Sequence, residues 1–122
     1  MSDLVLSYYG DDFTGSTDVM ESLSFAGVKT VLFLEPPTEA QIARFSNIRA
    51  VGVAGRTRSM APGDMVRELR PVYEAFKALH TPIVHYKTCS TFDSAPDVGS
   101  IGCAIDVGQD VFNSAFVPLV VG

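Results

Sequence analysis

The chain has 122 residues and a formal net charge of -5, from 14 acidic and 9 basic side chains, with 47% of its residues hydrophobic and 19% charged. That length suits one domain burying roughly two thirds of the surface exposed by its unfolded chain, and the apolar fraction argues against disorder. The acidic balance supplies no broad positive field for a polyanion, so nucleic acid is not an expected partner.

The first signal along the chain is the run Leu4 to Tyr9, which reads as a buried strand stopping at the polar loop Gly10-Asp11-Asp12. Ser16 or Thr17 is expected to cap a helix that carries Val19, Leu23 and Ala26 at helical spacing and stops at Gly27. Lys29 to Leu34 is strand-like, Thr38 to Phe45 is a short helix after Pro36-Pro37, and Ile48 to Ala54 is strand-like again. From Pro62 to Leu79 the apolar positions Met65, Leu69, Val72, Phe76 and Leu79 keep helical spacing, with Pro71 expected to bend the helix. Ile83 to Tyr86 is a fourth strand, Ile101 to Phe112 a fourth helix, and Phe116 to Val121 a fifth apolar run.

Strands alternating with helices predict an open α/β fold, a mostly parallel Rossmann-like sheet with helices on both faces, because parallel neighbours need a crossover. A central parallel strand needs cover on both sides, and no helix follows the last run. The expectation is therefore a single domain, residues 1–122, that is the front part of a larger one, with no internal linker. The apolar runs fall far short of the roughly 20 residues of a membrane helix. Met1-Ser2-Asp3 places no basic residue ahead of an apolar run, so neither a span nor a secretory signal is expected. Cys89 and Cys103 show neither metal-ligand spacing nor a disulfide framework, which points to a reducing, cytoplasmic setting.

In open α/β sheets ligands bind beyond the carboxyl ends of the strands. The predicted strand ends deliver Asp11 and Asp12, then Glu35, then Arg56 and Arg58, then Lys87, Ser90, Thr91 and Asp93. Two carboxylates, guanidinium forks and an ammonium on one rim suit a small ligand with an anionic end and several hydroxyls, as in a sugar acid. Gly99 and the amides opening the fourth helix offer a further place for an anion. Each residue also has a plainer reading. Asp12 can end a strand, Arg56 and Arg58 can be solvated loop residues, His80 can meet the last carbonyls of a helix, and His85 can be an ordinary packed histidine. The convergence of charges on one rim is what the plainer readings leave unexplained.

Other folds with acidic residues after a first strand fit less well. A receiver-like signalling domain needs an acceptor aspartate after strand three, where Val53-Ala54-Gly55-Arg56 stands. An aspartyl phosphatase needs Asp-x-Asp rather than adjacent aspartates. The sequence contains no P-loop string, and Gly10 to Gly15 does not match the dinucleotide fingerprint.

The segment Tyr9-Gly10-Asp11-Asp12-Phe13-Thr14-Gly15-Ser16-Thr17-Asp18 is similar to the D-D-[LF]-T-G-x-x-D signature of the four-carbon acid sugar kinase family, whose members include 3-oxo-tetronate, erythronate and threonate kinases. Arg58-Ser59-Met60 resembles its second substrate-binding segment, and Tyr86 to Ser94, continuing to Gly99-Ser100-Ile101-Gly102, its third. Many members read K-x-D-S-T-x-R-G-N there, whereas this chain has Lys87-Thr88-Cys89-Ser90-Thr91-Phe92-Asp93-Ser94, a departure closer to the 3-oxo-tetronate branch. The resemblance spans essentially the whole chain and implies the substrate-binding part of a kinase that transfers the ATP γ-phosphoryl group to the terminal hydroxyl of a four-carbon acid. It implies that Asp12 is catalytic, orienting or deprotonating the attacking hydroxyl, that Asp11 fixes a hydroxyl, and that Arg58 and Lys87 hold the substrate carboxylate. Ser90 and Thr91 add hydrogen bonds. ATP and Mg2+ are then bound mainly by a C-terminal domain absent from this sequence, so the chain by itself supplies substrate binding only, and a homodimer is a further expectation. The alternative class is a sugar-acid-binding module without catalysis.

Overall fold

The computed structural model describes residues 3–121. Four strands, β1 (Leu6–Gly10), β2 (Thr30–Phe33), β3 (Ala50–Ala54) and β4 (Ile83–Lys87), form one sheet in the order β2-β3-β1-β4, all parallel. Between and after them run the helices α1 (Phe13–Phe25), α2 (Glu39–Ile42), α3 (Pro62–Leu79) and α4 (Ile101–Phe112), with a single 3-10 turn at Thr57–Ser59. The expected α/β architecture is therefore present, with β1 central between β3 and β4. Among the described residues no helix is long and apolar enough to cross a membrane.

Side chains alternate across β1 as the pleat requires, and each face meets a different helix layer. Tyr8 is fully buried and its hydroxyl donates to the Ser16 carbonyl of α1 at 2.9 Å. Tyr9, also fully buried, points the other way, into the core built by Val51, Val53, Met65, Leu69, Val72, Phe76, Ala104, Val107 and Val111. That core joins the sheet to α3 and α4, which pack on one another. The chain thus leaves β1 over one face and enters α4 on the other, and in open α/β sheets ligands bind beyond the carboxyl ends of strands whose connections diverge in this way.

Two sequence expectations change. The first helix begins at Phe13, and its cap is Asp12, whose side chain accepts from the Gly15 amide; Ser16 and Thr17 lie inside it instead. Asp12 has the extended backbone that a cap needs and an acceptor at the right reach, and both come before the apolar spacing starts. The run Phe116 to Val121 forms no strand, and Phe116 and Val120 are 74% and 88% exposed. Strand-forming composition does not suffice where a parallel strand lacks cover on both faces. The α3 helix runs on through Pro71, which is exposed, so the ring displaces one helical hydrogen bond without disturbing the buried face.

Gly52 of β3 lies under the ring of Tyr8, and a methyl group there would overlap the ring atoms. Replacement Gly52→Ala is expected to cost about 1–3 kcal/mol through overpacking, read as a lower urea midpoint at unchanged slope. A midpoint equal to that of the parent chain would show that Tyr8 can move aside freely.

Candidate functional site

The site begins with the main chain of Asp11, directly after the central strand. Its amide donates to the Lys87 carbonyl at 3.0 Å, and its carbonyl accepts from the Arg58 amide at 3.2 Å. One residue therefore ties together the ends of β1 and β4 and the turn after β3. Gly10 makes the approach of α1 possible, because a side chain there would strike Ser16.

The Asp11 side chain is only 3% exposed, and its Oδ1 is a buried oxygen without a hydrogen-bond partner. Burial, and then the neighbouring Asp12 charge, push its pKa up to about 6. Arg58, the Cys89 amide and Lys87 pull the other way. Asp12 is half-buried. Its Oδ1 accepts from the Gly15 amide at 2.7 Å, while its Oδ2 lies 3.5 Å from Arg58 Nη1.

Arg58 sits between two carboxylates. Its Nη2 donates to Asp93 Oδ2 at 2.9 Å and to Thr91 Oγ1 at 3.2 Å, while Nη1 faces Asp12. Thr91 completes the triangle by donating to Asp93 Oδ2 at 2.9 Å. These bonds hold the Asp93 carboxyl below the usual carboxylate range, the Arg58 bond first and the Thr91 bond second. Lys87 Nζ donates to the Thr88 carbonyl at 2.7 Å while its charge acts on Asp11. The support beneath is polar as well as apolar. Buried Thr57 shares a 2.7 Å hydrogen bond with the Tyr86 hydroxyl, and the Tyr86 ring stacks on Tyr9 at 5.7 Å.

The structure therefore gathers Asp11, Asp12, Arg58, Lys87 and Thr91 on one edge of the sheet, and Ser90 is exposed on the same loop after β4. Glu35 does not join them, being exposed after the outer strand β2. Arg56 turns to a separate open depression of about 490 Å3 with Ser59, Met60, Asp64, Arg67 and Glu68, while its amide donates to the Tyr9 hydroxyl at 3.2 Å. The anion place expected at the start of α4 is partly taken, since the Ile101 amide donates to Ser94 Oγ and the Cys103 amide to Ser100 Oγ. Gly99 serves geometry there: its φ of 58° is left-handed, and a side chain would strike the Arg58 carbonyl. The Arg58–Asp93 pairing is the feature that sequence reasoning left out. No local pattern marks it, since the two residues stand 35 positions apart.

Comparison with known proteins gives the family of the chain. The profile of the family described as the sugar-binding N-terminal domain matches residues 6–121. A 3-oxo-isoapionate kinase of Paraburkholderia graminis is 52% identical over 119 residues, 98% of this chain and 25% of the relative. A 3-oxo-tetronate kinase of Burkholderia multivorans is 33% identical over 112 residues, 92% of this chain and 25% of the relative. A solved structure from Salmonella typhimurium LT2, provisionally described as a tRNA synthase, superposes with a TM-score of 0.80 at 30% identity, covering 91% of this chain and 26% of that one. The chain spans about a quarter of the length of the curated relatives it matches.

Because the pKa of Asp11 is about 6 in the folded chain against the ordinary aspartate value of 3.8, the folded state binds the extra proton between those values. Stability then falls as pH rises through that window, by about 1–3 kcal/mol, and stays lower above it. Asp11→Asn is expected to remove this part of the slope and to raise the urea midpoint at neutral pH. Equal slopes for the parent and variant chains between about pH 4 and about pH 6 would place the titration on another group.

Proposed function

Since the chain belongs to the family of sugar-binding N-terminal domains, we propose that its crevice holds a four-carbon sugar acid, 3-oxo-tetronate foremost, and presents the terminal hydroxyl to the γ-phosphoryl group of ATP. The observation that carries the reading is the buried, unpartnered Oδ1 of Asp11, set among Asp12, Arg58 and Lys87. A buried carboxylate oxygen without a donor is costly, and a ligand hydroxyl removes the cost by donating to it. The relatives' names supply the chemical class, because they act on 3-oxo sugar acids.

The division of labour follows from the donor set. Arg58 offers a planar fork and Lys87 a point charge for the ligand carboxylate. Asp11 accepts from an inner hydroxyl, and Ser90 and Thr91 add neutral hydrogen bonds. Asp12 orients the terminal hydroxyl and takes its proton as the oxygen attacks phosphorus and ADP leaves. Positioning of this kind carries most of phosphoryl transfer. The phosphoryl donor needs partners from elsewhere. Among the described residues no group of three or more His, Cys, Asp or Glu side chains is placed to hold a metal ion, and the sequence has no P-loop string. Because the chain spans about a quarter of its kinase relatives, nucleotide and Mg2+ are assigned to the length of such an enzyme outside it, and this chain to the acceptor.

Calorimetric titration of 3-oxo-tetronate, erythronate and threonate into this chain tests the assignment. At least one acid is expected to bind, and Asp11→Asn to weaken it by roughly tenfold or more, the worth of a hydrogen bond to a charged group. Absence of heat with all three acids would reject the reading. In a full-length enzyme carrying the same site, Asp12→Asn is expected to lower kcat far more than it raises KM, and the opposite split would move Asp12 from chemistry to binding.

A further inference from the structure

Arg58 is not free in this structure, and the way it is held has a consequence for selectivity. Its Nη2 is bound by a carboxylate 35 residues further along the chain, and the same carboxylate oxygen receives the Thr91 hydroxyl. Asp93 is thus placed on the guanidinium as the carboxylate of a ligand would be. We propose that Asp93 is a selectivity residue: it occupies Arg58 as an internal carboxylate, and only a ligand whose own carboxylate can take that place opens the loop between Thr88 and Gly99. The inference rests on the sugar-acid reading above and adds the regulation of that site.

Three features support an exchangeable contact. Asp93 is carried on an exposed loop and its side chain is 64% exposed, so solvent can receive it when it leaves. Phe92, immediately before it, has a φ of 55°, a left-handed backbone that is unfavourable for a bulky residue. The turn that holds it is closed by the Phe92 amide donating to the Cys89 carbonyl at 2.8 Å, so the residue next to Asp93 is held in a costly conformation. The far end of the loop stays fixed, because the Gly99 amide donates to the Met60 carbonyl at 2.8 Å and Ser94 Oγ accepts from Ile101. Charge points the same way. With Asp11, Asp12 and Asp93 facing Arg58 and Lys87, an incoming anion meets cations already matched by carboxylates. A neutral polyol gains nothing by displacing Asp93, whereas a sugar acid replaces one carboxylate by another.

Asp93→Asn keeps the size of the side chain and removes its charge. If the internal carboxylate holds the site closed most of the time, apparent affinity is reduced by the fraction open, and the variant recovers it. By calorimetry, erythronate is expected to bind Asp93→Asn roughly tenfold more tightly than the parent chain, while the affinity for erythritol, its neutral counterpart, stays unchanged. The gain should vanish in the double variant Arg58→Ala with Asp93→Asn. Weaker or equal binding of erythronate by Asp93→Asn overturns the proposal and makes Asp93 a direct ligand contact or a bystander. A second readout does not need any sugar acid. Amide exchange in residues 89–94 should accelerate in Asp93→Asn while exchange in α3 stays the same, and unchanged exchange in the loop also overturns the proposal. Failure of every acid to bind, with accelerated loop exchange, would sink the sugar-acid assignment and leave the internal contact standing.

Discussion

The arrangement of the edge depends on Asp11, because one residue does two things that oppose each other energetically. Its main chain joins the edge together by bonding to the ends of two other segments, Lys87 of β4 and Arg58 after β3. The same bonds draw its side chain under the loops, where it is 3% exposed and one oxygen finds no donor. The backbone bonds favour the fold, and the buried carboxylate works against it. A position that only had to join three segments would be filled at lower cost by an uncharged residue. Retention of a carboxyl there makes sense when a ligand completes its hydrogen bonds.

The cations nearby are arranged to lessen that cost without cancelling it. Arg58, the Cys89 amide and Lys87 all lower the pKa of Asp11, yet burial and the Asp12 charge outweigh them. The reason is geometric. Arg58 spends its hydrogen bonds on Asp93 and Thr91, and Lys87 spends one on the Thr88 carbonyl. Their charges reach Asp11 through space while their N–H groups point elsewhere. On the proposed function, a ligand with a carboxylate and vicinal hydroxyls would reverse this allocation, taking N–H groups from the cations and giving O–H groups to the carboxylates.

Much of the scaffold was legible because it rests on local patterns. The runs at β1, β3 and β4 are short, apolar and bounded by polar loops, and α3 keeps its apolar spacing over its whole length. The signature around Asp11 and Asp12 pointed to the edge where Arg58 and Lys87 also lie, since ends of neighbouring parallel strands must lie side by side. Where the sequence misled, a non-local condition decided the outcome. Phe116 to Val121 has strand composition, but whether it pairs depends on cover that its own residues do not encode. Asp12 as a cap was hidden because Ser16 and Thr17 are equally good cap types, and the choice follows from where β1 releases the chain. Pairing of Arg58 with Asp93 and of Thr57 with Tyr86 joins residues far apart in sequence, and composition carries no trace of such partners.

The contrast between the two acidic positions that flank Arg58 explains how a fixed edge can still respond to a ligand. Asp12 is locked into the first turn of α1 through Gly15, so its carboxylate cannot follow a moving guanidinium. Asp93 lies on an exposed loop and its pairing is open to water and salt, so the contact selects a geometry more than it stabilises the fold. The anchored carboxylate keeps Arg58 over the crevice when the loop carboxylate departs. Specificity then resides in the more exposed of the two contacts, because only an interaction that can be exchanged is able to discriminate between ligands.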